Sequence, residues 1–120
     1  MCTYVTAQAA AEGSGKGARG WFPLETVTVY FDHPVHAQAE HTMNIDFANP
    51  ARGAGSRVAV ELTAQSALDL VRAVAQVFTD VPEDLTGVDP TRARQLRDAA
   101  EALAGPDRVA AAATSASGQR

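Results

Sequence analysis

The sequence lacks several features by which a chain of this size is often classified. It has a single cysteine, Cys2, which excludes an internal disulfide. It has no excess of positive charge: a formal net charge of −4 and a pI near 5.2 offer no basic surface to nucleic acid or anionic membranes. It also has no apolar run near the roughly 20 residues that cross a bilayer and no signal-peptide pattern. We therefore expect a cytoplasmic protein without nucleic-acid or membrane partners.

What is present is the composition of an ordinary globular chain. Hydrophobic residues make up 46% and charged residues 20% of the 120 residues, which is enough for one modest core. We predict a single α+β domain over residues 1–104. Residues 105–120 carry few large apolar side chains, so we predict a disordered tail there.

The first two thirds of the chain alternate apolar and polar residues with the period of two that is typical of half-buried strands. This alternation predicts strands within residues 2–12, 24–31, 41–48 and 57–62. The short connections between them favour an antiparallel meander. The glycine-rich stretch 12–20 predicts a flexible turn of the hairpin type.

Helical periodicity follows the last strand. Thr63 is the expected N-cap of a first helix, whose apolar residues recur at spacings of three and four up to Phe78. Asp89 and Pro90 mark the start of a second helix. The predicted fold is thus α+β: a four-stranded antiparallel sheet with one or two helices packed on one face.

The strand alternation also predicts a polar sheet face opposite the apolar one. We expect this face to be solvated, covered in a homodimer, or the floor of a binding site for a small-molecule ligand or substrate. Its predicted members come from all four strands: Tyr4, Thr6, Thr28, Tyr30, Asn44, Asp46, Arg57 and Glu61.

The segment DHPVHAQAEH, residues 32–41, contains every histidine of the chain. As the connection between two neighbouring strands it brings its own ends together, so His33, His36 and His41 are predicted to converge on one site. Three imidazole nitrogens suit a transition metal such as zinc, copper, iron or nickel. A polar, inert hairpin loop is the alternative interpretation.

Acid–base catalysis without a metal is a neighbouring interpretation of the same residues. Histidine titrates near neutral pH, and a carboxylate such as Asp46 can orient it, while Tyr30 can polarise a carbonyl group. The catalytic candidates are therefore His33, His36, His41, Asp46 and Tyr30. His41 shares the alternation of the core-facing side, so it reaches Asp46 only if its strand begins later or bulges.

Three smaller features of the sequence each have more than one interpretation. Cys2 is either a small strand residue or, once Met1 is removed, an N-terminal nucleophile or metal ligand. The stretch EGSGKGARG does not match a phosphate-binding P-loop, although Lys16 or Arg19 at the hairpin could contact an anion. Trp21 and Phe22 suit a core or interface plug better than a ligand-stacking platform.

Four segments together resemble a known family: MCTY at the N-terminus, EGSGKGARGWF, VYFDHPVHAQAEHTMNIDF and RVAVELT. With them the chain is similar, over roughly residues 1–79, to a family of small uncharacterised actinobacterial proteins. The second helix looks like an extension beyond the shared part. The resemblance implies a bacterial cytoplasmic setting, beside enzymes of specialised metabolism.

Two functional hypotheses follow from these observations. The first is a small enzyme or metal-dependent protein centred on the three histidines. The second is a non-catalytic dimeric module that binds a small ligand or a protein through its polar sheet face.

Overall fold

A computed structural model of the chain describes residues 5–105. The prediction about Cys2 and, beyond Gly105, the predicted disordered tail concern residues outside this range, and so does Tyr4.

The described chain contains six strands, two α-helices and two short 3₁₀ helices, which confirms the α+β prediction. Four strands form an antiparallel sheet in the order β1–β4–β5–β6, the neighbour order of a meander, and β2 and β3 form a separate two-stranded sheet. The strands, in chain order, are β1 (Val5–Ala10), β2 (Ser14–Gly17), β3 (Gly20–Pro23), β4 (Thr26–Asp32), β5 (Thr42–Ala48) and β6 (Arg57–Leu62).

The register of the large sheet gives it two chemically different faces, as the alternation predicts. Val29 pairs with Ile45, and Ile45 pairs with Val60, so this row of paired residues is apolar across three strands. The next row, on the opposite face, places Thr28 against Asp46. Because side chains alternate between faces along a strand, Thr6, Tyr30, Asn44, Arg57 and Glu61 share the face of Asp46, which we call the polar face.

The glycine-rich stretch forms more regular structure than the flexible turn predicted from the sequence. β2 and β3 pair as a tight hairpin in which Lys16 lies opposite Trp21 and Gly15 opposite Phe22. A Cβ atom on Gly15 would approach the Leu24 side chain to 2.9 Å, which is closer than real Cβ contacts. A larger residue here would therefore require the Leu24 side chain to move.

Two compact units divide the described chain between Ala67 and Leu68. The first contains both sheets. The second contains most of α1 (Ala64–Asp80) and all of α2 (Pro90–Ala104), where Ala75 and Ala100 are buried and Phe78 packs against them. The prediction of a single domain over residues 1–104 stays a prediction.

Both predicted helix caps are present. The Thr63 hydroxyl oxygen accepts a hydrogen bond from the Ser66 N–H at 3.1 Å, and the Asp89 carboxylate accepts one from the Arg92 N–H at 3.0 Å. These bonds satisfy amide groups that a helix start leaves without partners. Between residues 5 and 105, neither helix is long and apolar enough to cross a membrane.

Candidate functional site

Three side chains on the polar face form one hydrogen-bonded group across β4, β5 and β6. The Arg57 guanidinium donates through Nη2 to Asp46 Oδ2 at 2.9 Å. The Tyr30 hydroxyl donates to the same oxygen at 3.5 Å, a longer and weaker contact. Tyr30 and Arg57 are each diagonal neighbours of Asp46 in the sheet register, within reach of long side chains.

The electrostatics of this group keep its members in defined protonation states. Burial, and next the negative charge of Asp46, raise the pKa of Tyr30 above its ordinary value of 10.0. The hydrogen bond to Asp46 and the charge of that carboxylate raise the pKa of Arg57 as well. At neutral pH, Tyr30 is therefore a protonated phenol that donates a hydrogen bond, and Arg57 is a cation.

Glu61 on β6 binds the loop that connects β4 to β5. Its Oε2 accepts a hydrogen bond from the Val35 N–H at 2.7 Å, and its Oε1 accepts from His36 N–H at 2.9 Å and Ala37 N–H at 2.8 Å. The bond from Val35 is the largest cause that lowers the pKa of Glu61 below 4.5, and the bonds from His36 and Ala37 act in the same direction. We call these three donors and Glu61 the Glu61 clamp.

The clamp folds the 33–41 loop back over the polar face instead of leaving it as an extended hairpin connection. Buried polar side chains occupy that end of the face: Asp32, Thr42 and Asn44 expose only 3%, 0% and 4% of their surface. The Thr42 hydroxyl donates to Asn44 Oδ1 at 2.6 Å, so this pair is satisfied internally. The loop is thus a structured part of the face.

A cavity of about 170 Å³ lies between the loop and the sheet. Its walls provide a guanidinium, a phenol, an amide, an imidazole and two carboxylates. We call it the polar-face pocket; its polar lining residues are Tyr30, His36, Asn44, Asp46, Arg57 and Glu61.

The other two histidines lie elsewhere in the same loop. The rings of His33 and His41 contact each other with centroids 4.5 Å apart, and His41 also stacks on Phe31 at 5.8 Å. Phe31 belongs to the apolar face, since it pairs with Met43. His33 Nδ1 lies 3.1 Å from the carbonyl oxygen of Glu40, which holds that ring at the loop exit.

The structure therefore brings together two of the three histidines predicted to converge, His33 with His41, and places His36 at the polar-face pocket with Tyr30 and Asp46. Throughout residues 5–105, no three His, Cys, Asp or Glu side chains form a group that could hold a metal ion. Metal binding by His33, His36 and His41 stays a prediction.

Sequence reasoning missed the role of Glu61. The sequence placed Glu61 only on the polar face; in the structure Arg57 pairs with Asp46, whereas Glu61 accepts from the loop backbone. Backbone donors leave no side-chain signature, and Val35 lies 26 residues before Glu61. No pattern in the sequence could have indicated this contact.

The fold and this site define a small α+β protein with a polar pocket between one face of its sheet and a clamped loop. The chain belongs to a family of unknown function, DUF6295, whose sequence profile matches residues 1–87. This match confirms the predicted resemblance to a small uncharacterised family and extends it slightly past α1. No curated protein and no solved structure matches the chain.

Proposed function

We propose that the protein is a non-catalytic module that binds a small polar ligand in the polar-face pocket. The observation that supports this most is the Glu61 clamp, which fixes the loop so that His36 joins Tyr30, Asn44 and Arg57 around one cavity. Clustered donors and acceptors fixed by rigid strands are the usual means by which a site orients a polar ligand.

The charges of the pocket indicate the class of ligand. Arg57 and Asp46 neutralise each other at 2.9 Å, and the second carboxylate, Glu61, already accepts three loop N–H groups, so a ligand with a net charge would gain little from these groups. The volume of about 170 Å³ is also below the roughly 300 Å³ at which drug-sized ligand sites begin. We infer an uncharged or zwitterionic molecule, or a fragment of that size within a larger one.

The experiment is chemical-shift mapping by NMR on the full-length, ¹⁵N-labelled chain. The probes are glycerol, acetamide and serine, which represent a polyol, an amide and a zwitterion. We expect at least one probe to produce saturable shifts centred on His36, Asn44 and Asp46. The D46N variant should weaken them, and an E25Q variant, which changes a carboxylate outside the pocket, should not. Shifts from none of the probes, or shifts centred outside the pocket, would rule the proposal out.

A second candidate function is favoured by one specific observation: His36 lines the same cavity as Tyr30 and Asp46. This is the arrangement that acid–base catalysis requires. Under this second hypothesis the protein is an enzyme, so it converts a bound probe into a product instead of releasing it unchanged. Incubating each probe with the protein and following its NMR signals distinguishes the two, because a module leaves the probe intact.

The metal-dependent version of that enzyme uses the predicted ligands His33, His36 and His41 with zinc, copper, iron or nickel. Its test is elemental analysis of untagged protein, followed by titration with each metal. Less than about one tenth of a metal ion per chain, together with no tight uptake, would remove it.

We also propose that the protein works as a homodimer in the cytoplasm, as its sequence predicts. β1 supports the dimer: it has no strand partner except β4 in the described chain, and all six of its residues are exposed. Its sequence VTAQAA has neither charge nor proline. Natural edge strands usually carry a charged residue or a proline, which prevents pairing with another copy.

A further inference from the structure

A second polar pocket, distinct from the proposed ligand site, lies in the same unit. It is formed by the turn of the β2–β3 hairpin and by the loop between β5 and β6, and its volume is about 360 Å³. We call it the Trp21 pocket. Its walls are residues 19–22 and 52–56.

The charged groups of the Trp21 pocket are two arginines, Arg19 and Arg52. Neither guanidinium forms an ion pair or a side-chain hydrogen bond with any residue in the 5–105 range. The chain has 14 acidic against 10 basic residues. Two unpaired arginines at one cavity in an acidic protein create a local positive potential that attracts anions.

The loop wall of the pocket offers further donors. The chain turns at Gly53, where the Gly53 N–H bonds Pro50 O and the Ser56 N–H bonds Gly53 O. Between these bonds, the N–H groups of Ala54 and Gly55 make no hydrogen bond within the part of the chain that the structure describes. Backbone N–H groups in turns of this kind are common contacts for bound anions.

The third feature is the exposed indole of Trp21. The hairpin turns Phe22 inward, where it is 6% exposed, and turns Trp21 outward, where it is 70% exposed. The buried Phe22 side chain therefore packs the hairpin against the rest of the unit. Trp21 contributes little to the core, and its large flat surface stands beside the two arginines.

We propose that the Trp21 pocket binds a small organic anion that joins an oxyanion group to a planar ring. Arg19 and Arg52 hold the carboxylate or phosphate oxygens, because guanidinium forms strong, paired hydrogen bonds to both. The ring of the ligand stacks on Trp21. The volume of about 360 Å³ is sufficient for a ligand of this kind.

The test uses Trp21 as its own reporter, because it is the only tryptophan of the chain. The full chain is titrated with benzoate, phenyl phosphate, inorganic phosphate and neutral benzamide, and the single indole N–H resonance is followed by NMR. We expect saturable shifts with benzoate or phenyl phosphate, shifts with inorganic phosphate that are at least tenfold weaker, and none with benzamide. The tighter of the two aromatic anions identifies the oxyanion group.

Variants then test the residues. The R19Q/R52Q double variant should raise the dissociation constant of the preferred aromatic anion about tenfold or more, because it removes two charge-assisted contacts. The matched control R94Q changes an exposed arginine of α2 and should leave binding unchanged. D46N should also leave it unchanged, which separates this site from the polar-face pocket.

Three results would overturn the proposal. The first is equal binding of benzamide and benzoate, and the second is unchanged affinity in R19Q/R52Q. The third is the lack of saturation by any of the anions up to about 20 mM, which would mean a binding free energy too small for a specific site. Because Arg19 and Arg52 are exposed, the double variant should keep the wild-type amide spectrum outside the pocket, and this verifies its fold.

Discussion

Glu61 is the residue that determines the shape of the candidate site. Its carboxylate accepts three backbone hydrogen bonds from a loop that belongs to the β4–β5 connection, although Glu61 itself lies on β6. A carboxylate offers enough lone pairs for all three donors, and an amide side chain does not. The position of His36 in the polar-face pocket therefore depends on Glu61.

The first prediction concerns the E61Q substitution. Glutamine keeps the size of the side chain but replaces one acceptor oxygen with a donor, so at least one of the Val35, His36 and Ala37 amides loses its partner. We expect hydrogen exchange of these three amides to become at least tenfold faster. The measurement is NMR hydrogen exchange, and E25Q is the control. Unchanged protection in E61Q would contradict the clamp.

The second prediction is a pH dependence of the same loop. Its hydrogen bonds lower the pKa of Glu61 in the folded chain below 4.5. The clamp thus contributes its full stabilisation above pH 4.5, and loses it as the pH falls further and passes through the lower pKa of the folded state. We expect the Val35 amide resonance to move in that acidic window. The same resonance in E61Q should show no such transition, whereas a matching transition there would assign it to another group.

At the scale of the elements, the β2–β3 hairpin separates two aromatic residues that are adjacent in sequence. Phe22 lies on the inner face of the hairpin, where a Cβ atom on Gly17 would come within 3.1 Å of its ring. Trp21 lies on the outer face, opposite Lys16. The sequence predicts a core or interface plug for both residues; Phe22 is buried, whereas Trp21 is exposed and is not part of the core.

The third prediction compares these two residues. F22A should reduce the free energy of unfolding by about 3 kcal/mol, because it removes a buried ring and leaves a cavity. W21A should reduce it by less than about 0.5 kcal/mol, as expected for an exposed side chain. Chemical denaturation followed by circular dichroism measures both. Equal losses in the two variants would mean that Trp21 is also part of the core.

The elements also explain which parts of the fold were predictable. The alternation of Val27, Val29 and Phe31 fixes which side chains share a face, because the period of a strand is set by its backbone geometry. The caps at Thr63 and Asp89 were predictable for a similar reason, since the capping contact is local. The path of the 33–41 loop was not, because it depends on contacts with Glu61, which is distant in sequence.

At the scale of the whole molecule, the exposed edge strand β1 supports the proposed dimer. Our fourth prediction is that light scattering gives twice the chain mass of 12.5 kDa. Q8K places a charge on the edge strand and should shift the protein towards the monomer, because edge lysines oppose strand pairing. Q95K, on α2, is the matched control. A monomeric mass for the unmodified protein at the same concentration would contradict the prediction.

The two proposed pockets lie in the part of the chain that matches the family of unknown function. The profile covers residues 1–87, which include both sheets, both proposed pockets and α1, and it ends before α2. Both pockets lie within the residues that the family shares, so either proposal, once tested here, gives a hypothesis for its other members.

The most direct test of the central claim compares two histidine variants, H36A and H33A. His36 lines the proposed ligand site, whereas His33 contacts His41 at the loop exit. For a probe among glycerol, acetamide and serine that binds the unmodified protein, H36A should raise the dissociation constant about tenfold, a typical loss for a direct polar contact. H33A should change it less than about twofold. If H33A weakens binding as much as H36A does, the histidines act as one cluster and the account is wrong.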